Sequence, residues 1–91
     1  MTAKILIVED ETAIQELIIY NLQQAGYETV SAENAEKAMA IINNALPDLI
    51  LLDWMLPGMS GIEFARILRR GERTRLIPII MLTARTQETD K

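Results

Sequence analysis

The chain has 91 residues, 49% of them hydrophobic and 24% charged, and this composition predicts one small globular domain rather than a disordered segment. The absence of cysteine and histidine excludes disulfides, thiolate metal sites and histidine-based chemistry. A net charge of −4 argues against nucleic acid as a partner of the domain as a whole, and no apolar run approaches the ~20 residues of a membrane span.

The first third of the chain predicts a strand, a helix and a second strand. Residues 5–8 form a continuous apolar run, which is typical of a strand buried on both faces of a parallel sheet. Over residues 11–25 the apolar positions recur at helical spacing, with a capping residue expected among residues 10–12. Gly26 stands where a helix commonly ends. Residues 28–32 are more polar and predict an edge strand.

The rest of the chain continues this alternation. Asn34 is expected to cap a second helix that Pro47 stops, and residues 49–52 predict the third strand. Ser60 opens a third helix with the pattern of a capping box, and residues 78–82 predict the fourth strand. The apolar positions of this third helix are Ile62, Ala65 and Leu68, with Phe64 beside them.

The alternation of strands and helices predicts an α/β fold, in which helices cover both faces of a parallel sheet. If the strand order is 2-1-3-4, the first and third strands are neighbours where the winding reverses. Such a sheet is doubly wound and flavodoxin-like, and ligands bind at the carboxyl ends of its strands. The first strand begins so close to Met1 that there is no room for a signal peptide, so the expected location is the cytoplasm.

Oxygen-bearing side chains follow three of these strands where each strand ends. The first strand runs into Glu9, Asp10 and Glu11, the third into Asp53, and the fourth into Thr83. Right-handed crossovers bring the strand ends to one edge of the sheet, so we expect Asp10 to face Asp53 there. Crowded carboxylates favour a cation, and an oxygen-only ligand set suits Mg²⁺. A carboxylate beside such an ion can act as a nucleophile toward phosphorus.

These strand ends resemble those of a known family. Residues 9–10, residues 51–58 (LLDWMLPG) and residues 81–85 (MLTAR) are similar to the corresponding segments of response-regulator receiver domains. They are most similar to the winged-helix transcription-factor subfamily and, within it, to the regulators of the phosphate regulon. The resemblance covers the whole chain.

The resemblance implies a role for each site residue. Asp53 is the expected phosphoacceptor, and Glu9 and Asp10 organise Mg²⁺ together with the backbone carbonyl of Met55. Thr83 is the expected switch residue that binds the phosphoryl group. By the same resemblance the domain takes its phosphoryl group from a sensor histidine kinase. It assists its own phosphotransfer and dephosphorylation but is not an enzyme in the usual sense.

The resemblance also implies partners and further chain. A second receiver domain is the expected homodimer partner, and DNA is bound only through an effector domain that this sequence does not include. Receiver domains continue through a fourth helix, a fifth strand that carries a lysine, and a fifth helix. Residues 1–91 are therefore expected to form a receiver domain that lacks the fifth strand and final helices. Lys91 follows Thr83 too closely to be that lysine.

Each candidate residue also has a purely structural interpretation. Asp10 can cap the first helix, Asp53 can be a loop acid, and Thr83 can be a β-branched residue at a strand end. Glu11 is best interpreted as a first-turn acid favoured by the helix dipole. A basic group of five arginines is interpreted as a solvated helix face and loop rather than an anion-binding surface. These are Arg66, Arg69, Arg70, Arg73 and Arg75.

Three rival functions stay open on the residues alone. A flavodoxin-type cofactor module needs a glycine- or hydroxyl-rich loop after the first strand, where this chain has the acidic residues 9–11. A metal-dependent phosphatase with an aspartyl nucleophile usually has a second acid two residues later, where this chain has Met55. The third rival is an interaction module that cannot be phosphorylated. Treatment with a small phosphodonor, with and without Mg²⁺, separates it from a phosphoacceptor.

Overall fold

The structure is a computed structural model and describes residues 2–82. Strands and helices alternate along the chain as predicted. The elements are β1 (Lys4–Val8), α1 (Thr12–Gln24), β2 (Glu28–Ala32), α2 (Ala35–Asn44), β3 (Leu49–Asp53), α3 (Gly61–Arg70) and β4 (Ile79–Leu82).

The four strands form one parallel sheet in the order β2-β1-β3-β4, which confirms the predicted order and the flavodoxin-like fold. The chain moves from β1 outward to β2 and then back across β1 to β3. Parallel strands joined in this order are expected to have right-handed crossovers, which place α1 and α2 on opposite faces of the sheet. Val8 is in register with Leu52, so β1 and β3 end side by side. The residues that follow these two strands therefore meet at one edge.

The main hydrophobic core lies between the sheet and the helices α2 and α3. Strand residues of alternating position supply one side of it, and Phe64 and Leu68 of α3 are fully buried against them. The strand residues in this core are Leu6, Val8, Ile50 and Leu52. On the other face α1 packs against β1 and β2, and none of its own residues is fully buried among the described part of the chain. Leu17, one of the apolar positions that recur at helical spacing over residues 11–25, is 62% exposed.

The helix ends follow the predicted signals with one exception. The Asn34 side chain accepts a hydrogen bond from the Lys37 amide at 2.8 Å, and Ser60 Oγ accepts one from the Glu63 amide at 3.2 Å. Gly26 has a φ of 95°, which confirms the left-handed end of α1. The first residue before α1 is Glu11, and within the described residues its side chain makes no capping hydrogen bond. Glu11 is therefore not a side-chain cap of α1, and a cap at a neighbouring residue stays a prediction.

The core-facing stripe of α3 also differs from the predicted one. Phe64 is 1% exposed, whereas Ile62 is 41% exposed. The buried positions are Gly61, Phe64 and Leu68, which lie three and four residues apart on one side of the helix. Because Gly61 occupies the side that faces β3, Ile62 is rotated outward.

The connection from α3 to β4 is fastened by hydrogen bonds to backbone carbonyls. The Arg69 guanidinium donates to the carbonyls of Arg75 and Ile77 at 2.9 and 2.8 Å. The buried Thr74 hydroxyl donates to the Leu68 carbonyl at 2.6 Å. Arg69 thus stabilises the loop, and all five arginines are exposed, as the structural interpretation predicts. Over residues 2–82 there is no helix with the length and apolar character that a bilayer crossing requires.

Candidate functional site

The turn after β1 carries two of the predicted acidic residues. The Glu9 amide donates to the Ala32 carbonyl at 3.0 Å, so the backbone of Glu9 is still paired with the end of β2. Glu9 is 2% exposed, and its carboxylate accepts a hydrogen bond from the Glu11 amide at 2.9 Å. Asp10, between them, is exposed to solvent. The turn therefore presents one buried and one accessible carboxylate.

Gln15, in the first turns of α1, ties the helix to this turn. Its Nε2 donates to the Glu9 carbonyl at 2.8 Å and lies 3.5 Å from the Ala32 carbonyl. A single amide group thus joins α1 to the ends of both β1 and β2. The backbone that carries Glu9 and Asp10 is held from two sides.

Asp53 is the last residue of β3 and is 2% exposed. It is in register with Leu82 of β4, and the next amide, of Trp54, donates to the Leu82 carbonyl at 3.3 Å. One carboxylate oxygen of Asp53 accepts a hydrogen bond from the Met55 amide at 3.3 Å. The Asp53 side chain is therefore oriented by the loop that follows it.

That loop spans residues 54–60, and its two ends lie close together where α3 begins. The Gly61 amide donates to the Trp54 carbonyl at 2.9 Å, which closes the loop at its base. Gly58 has a φ of 81°, a conformation that favours glycine. Leu56 and Met59 pack against the main core. The loop is anchored by these two side chains and by the closing hydrogen bond.

The three predicted carboxylates come together at the edge of the sheet. Glu9, Asp10 and Asp53 each place a carboxylate oxygen within 4.8 Å of the others. Carboxylates at this separation repel one another, and a cation removes the repulsion. The donors are all oxygens, with no imidazole or thiolate anywhere in the sequence, so they suit a hard divalent cation such as Mg²⁺. The exposed Asp10 leaves the cluster open to solvent on one side.

The remaining candidate residues are placed as follows. Met55 lies two residues beyond Asp53, with its amide toward the Asp53 carboxylate. Thr83 lies outside the described residues. Glu11 contributes its amide to the Glu9 carboxylate, and the acidic cluster is formed without its side chain.

Two residues next to the cluster were not predicted to belong to it. Gln15 appears in the sequence as an ordinary polar position of an amphipathic helix. Gly61 appears only as the first residue after the capping Ser60. Gln15 lies near the start of α1 and so close in sequence to the end of β1, but its bond to the Glu9 carbonyl depends on the three-dimensional approach of the two segments.

Curated proteins related to this chain are transcriptional regulators. The phosphate regulon transcriptional regulatory protein PhoB of Pseudomonas aeruginosa is 60% identical over 87 residues, which are 96% of this chain and 38% of that protein. PhoB of Escherichia coli is 50% identical over 91 residues, which are all of this chain and 40% of that protein. The chain thus spans about two fifths of these relatives.

Solved structures with the same fold are receiver domains. The chemotaxis response regulator CheY4 of Vibrio cholerae superposes with a TM-score of 0.89 at 35% identity, over all of this chain and 76% of that one. The receiver domain of a sensor histidine kinase from Pseudomonas aeruginosa superposes with a TM-score of 0.88 at 32% identity, over 99% of this chain and 74% of that one. That structure has a magnesium ion coordinated in its active site cleft.

The family model of the response regulator receiver domain matches residues 5–91, which is nearly the whole chain. The match includes both acidic turns and the loop after β3. The sequence resemblance to this family, and to the regulators of the phosphate regulon, is confirmed. The chain belongs to the response regulator receiver domain family.

Proposed function

We propose that this chain is the phosphoacceptor domain of a response regulator and that Asp53 receives the phosphoryl group. One observation carries the proposal. A nearly buried carboxylate at the end of a central strand lies within 4.8 Å of two further carboxylates from the neighbouring strand. Membership of the receiver family makes a sensor histidine kinase the phosphodonor.

The chemistry is a transfer between nitrogen and oxygen. A carboxylate oxygen of Asp53 attacks the phosphorus of a phosphohistidine, the new O–P bond forms as the P–N bond breaks, and the departing imidazole nitrogen takes a proton. A dianionic phosphoryl group approaches a cluster that already holds three carboxylates, so neutralisation is the main requirement. Mg²⁺, when bound, supplies that neutralisation. The amide of Met55 orients the nucleophile through its 3.3 Å hydrogen bond.

We propose four groups of this chain as ligands of the metal. Glu9 and Asp10 supply carboxylates from the β1 side, and Asp53 supplies one from the β3 side. The Met55 backbone carbonyl is the fourth proposed ligand, because the loop brings this residue beside Asp53. Mg²⁺ keeps part of its water shell, which the exposed side at Asp10 accommodates.

The signal passes to an output function outside this chain. We propose that the Thr83 hydroxyl binds the phosphoryl oxygens and so couples Asp53 to a surface change. Relatives that are transcriptional regulatory proteins support a DNA-binding output domain, with receiver pairing as the route to it. The rival phosphatase mechanism is disfavoured because the position two residues after Asp53 is Met55 rather than an acid.

A phosphorylation experiment tests the proposal. The chain, extended by the segment that follows residue 91 in a complete receiver domain, is treated with acetyl phosphate and Mg²⁺. Mass spectrometry should find one adduct, stable in acid and labile in base, on Asp53. Omission of Mg²⁺ should remove it.

Two variants control this experiment. Asp53→Asn should abolish the adduct. Asp48→Asn makes the same chemical change just before β3, where Asp48 accepts a hydrogen bond from the Lys4 amide at 2.8 Å, and it should leave the adduct unchanged. A stoichiometric adduct on Asp53→Asn would show that the phosphoacceptor is another residue.

A further inference from the structure

Gly61 lies in a space that admits no side chain. A Cβ atom built on Gly61 would lie 2.1 Å from the Asp53 carbonyl oxygen and 3.0 Å from both the Asp53 carbonyl carbon and the Trp54 Cα. All three atoms are backbone atoms, which cannot rotate away as a side chain can. The φ of Gly61 is not positive, so glycine is needed here for space and not for backbone conformation.

The same residue closes the loop that carries the site. The Gly61 amide donates to the Trp54 carbonyl at 2.9 Å, so the first turn of α3 rests on the two peptides that follow β3. Met55 follows Trp54 directly, and its amide orients the Asp53 carboxylate. The position of Gly61 therefore constrains the two peptides that carry the Asp53 carbonyl and the Met55 amide.

Packing decides which side gives way when a methyl group is added at Gly61. On the helix side, Phe64 and Leu68 are fully buried in the main core, and Ser60 caps the helix through the Glu63 amide. On the strand side, the peptide after Asp53 is the last one of β3, and its amide makes a comparatively long 3.3 Å hydrogen bond to Leu82. Close-packed interiors resist displacement more than strand ends do, so the Asp53–Trp54 peptide moves.

We propose that Gly61 is a positioning residue of the acidic site. By letting α3 contact the Asp53 carbonyl directly, it fixes the peptides that aim the Asp53 carboxylate and the Met55 carbonyl at a divalent cation. The inference rests on the proposed function, because it assigns Gly61 a role in the metal and phosphoryl chemistry of that same site.

The first test compares two glycine variants of the full chain. Gly61→Ala should weaken Mg²⁺ binding at least about tenfold, the loss typical when groups that orient metal ligands are changed. Trp54 adjoins Asp53, so its fluorescence reports the titration. Gly26→Ala is the matched control, since its added Cβ meets nothing within 4 Å while its φ of 95° makes alanine strained. It should lower the thermal midpoint and leave the Mg²⁺ midpoint unchanged.

A second readout needs no metal. In metal-free protein the amide resonances of Asp53, Trp54 and Met55 should shift on Gly61→Ala substitution, while those of Phe64 and Leu68 stay in place. The inference would be overturned if the Phe64 and Leu68 resonances shifted, those of Asp53, Trp54 and Met55 did not, and Gly61→Ala bound Mg²⁺ as tightly as the wild type. This holds even if Gly61→Ala is less stable than Gly26→Ala.

A third measurement uses only the wild-type chain, so it tests the inference even when the Gly61→Ala variant does not fold. The Gly61 amide donates to the Trp54 carbonyl, so its resonance should move with the same Mg²⁺ midpoint as Trp54 fluorescence. A Gly61 amide that stays unchanged through saturation overturns the inference alone. Absence of any Mg²⁺ response in the wild type overturns the metal role in the proposed function as well.

Discussion

Gln15 joins the first helix to the turn that carries Glu9 and Asp10. Its side-chain amide spans the distance from α1 to the Glu9 carbonyl and reaches toward the Ala32 carbonyl. Side chains that hold metal ligands in place contribute to affinity although they do not touch the ion. Gln15 is therefore expected to position the turn that carries Asp10, just as Gly61 is proposed to position the peptides next to Asp53.

Substitution of Gln15 tests this expectation. Gln15→Met keeps the length of the side chain but removes the donor, so the Glu9 carbonyl loses its 2.8 Å hydrogen bond. We expect roughly tenfold weaker Mg²⁺ binding, measured by calorimetric titration. Gln23→Met is the matched control on the same helix, where only an exposed 3.1 Å bond to Thr29 is lost. Equal affinities for the two variants would contradict a role for Gln15.

The carboxylates themselves could be predicted from sequence, whereas Gln15 and Gly61 could not. Glu9, Asp10 and Asp53 follow apolar strands directly, and parallel topology alone brings such positions to one edge. The contact at Gly61 depends on how closely α3 approaches β3, which no spacing in the sequence encodes. Thr83 lies outside the described residues, so its role stays a prediction.

At the scale of the elements, local signals predicted the ends of helices better than their packing faces. Asn34, Ser60 and Gly26 act through neighbouring backbone groups, so their roles can be inferred from adjacent residues. The core face of α3 required the tertiary structure. Ile62 and Phe64 are both apolar within one turn, and hydrophobicity alone does not decide which of them is buried.

The caps of α2 and α3 provide two matched variants that separate helix stability from Mg²⁺ affinity. Ser60→Ala and Asn34→Ala each remove a side-chain acceptor from a helix end and should lower the free energy of unfolding by about 1 kcal/mol. Ser60 is the last residue of the loop that carries Met55, whereas Asn34 belongs to the connection from β2 to α2. Urea denaturation should therefore show similar losses, while Mg²⁺ affinity falls for Ser60→Ala alone. A loss of affinity in Asn34→Ala would mean that overall stability, rather than the loop, controls the site.

At the scale of the whole molecule, the acidic cluster is expected to lower the stability of the fold until a cation binds. Three carboxylates within 4.8 Å repel one another in a chain whose net charge is already −4. The proposed Mg²⁺ site exists only in the folded state, in which the two acidic turns are adjacent, so the ion should stabilise that state by mass action. At ten times its dissociation constant the gain is about 1.4 kcal/mol.

Thermal unfolding with and without Mg²⁺ measures this effect. The wild-type midpoint should rise with Mg²⁺ and return when EDTA removes the ion. Asp10→Asn removes one of the three like charges, so its metal-free midpoint should lie above that of the wild type, and Mg²⁺ should no longer raise it. Glu36→Gln, at the exposed start of α2, is the control and should respond to Mg²⁺ as the wild type does. An Asp10→Asn variant that Mg²⁺ still stabilises would place the ion elsewhere.

The pairing of β1 with β3 has a consequence for the order of events in folding. The two acidic turns come from opposite halves of the chain, and β2 and α2 lie between them in sequence. Parallel pairing over such a separation is slow to form, because a long loop must close before any contact is gained. Neither half of the chain contains all three carboxylates, so no early fragment can bind the ion as the folded domain does. A folding receiver domain therefore assembles its acidic site in the same step in which its core forms.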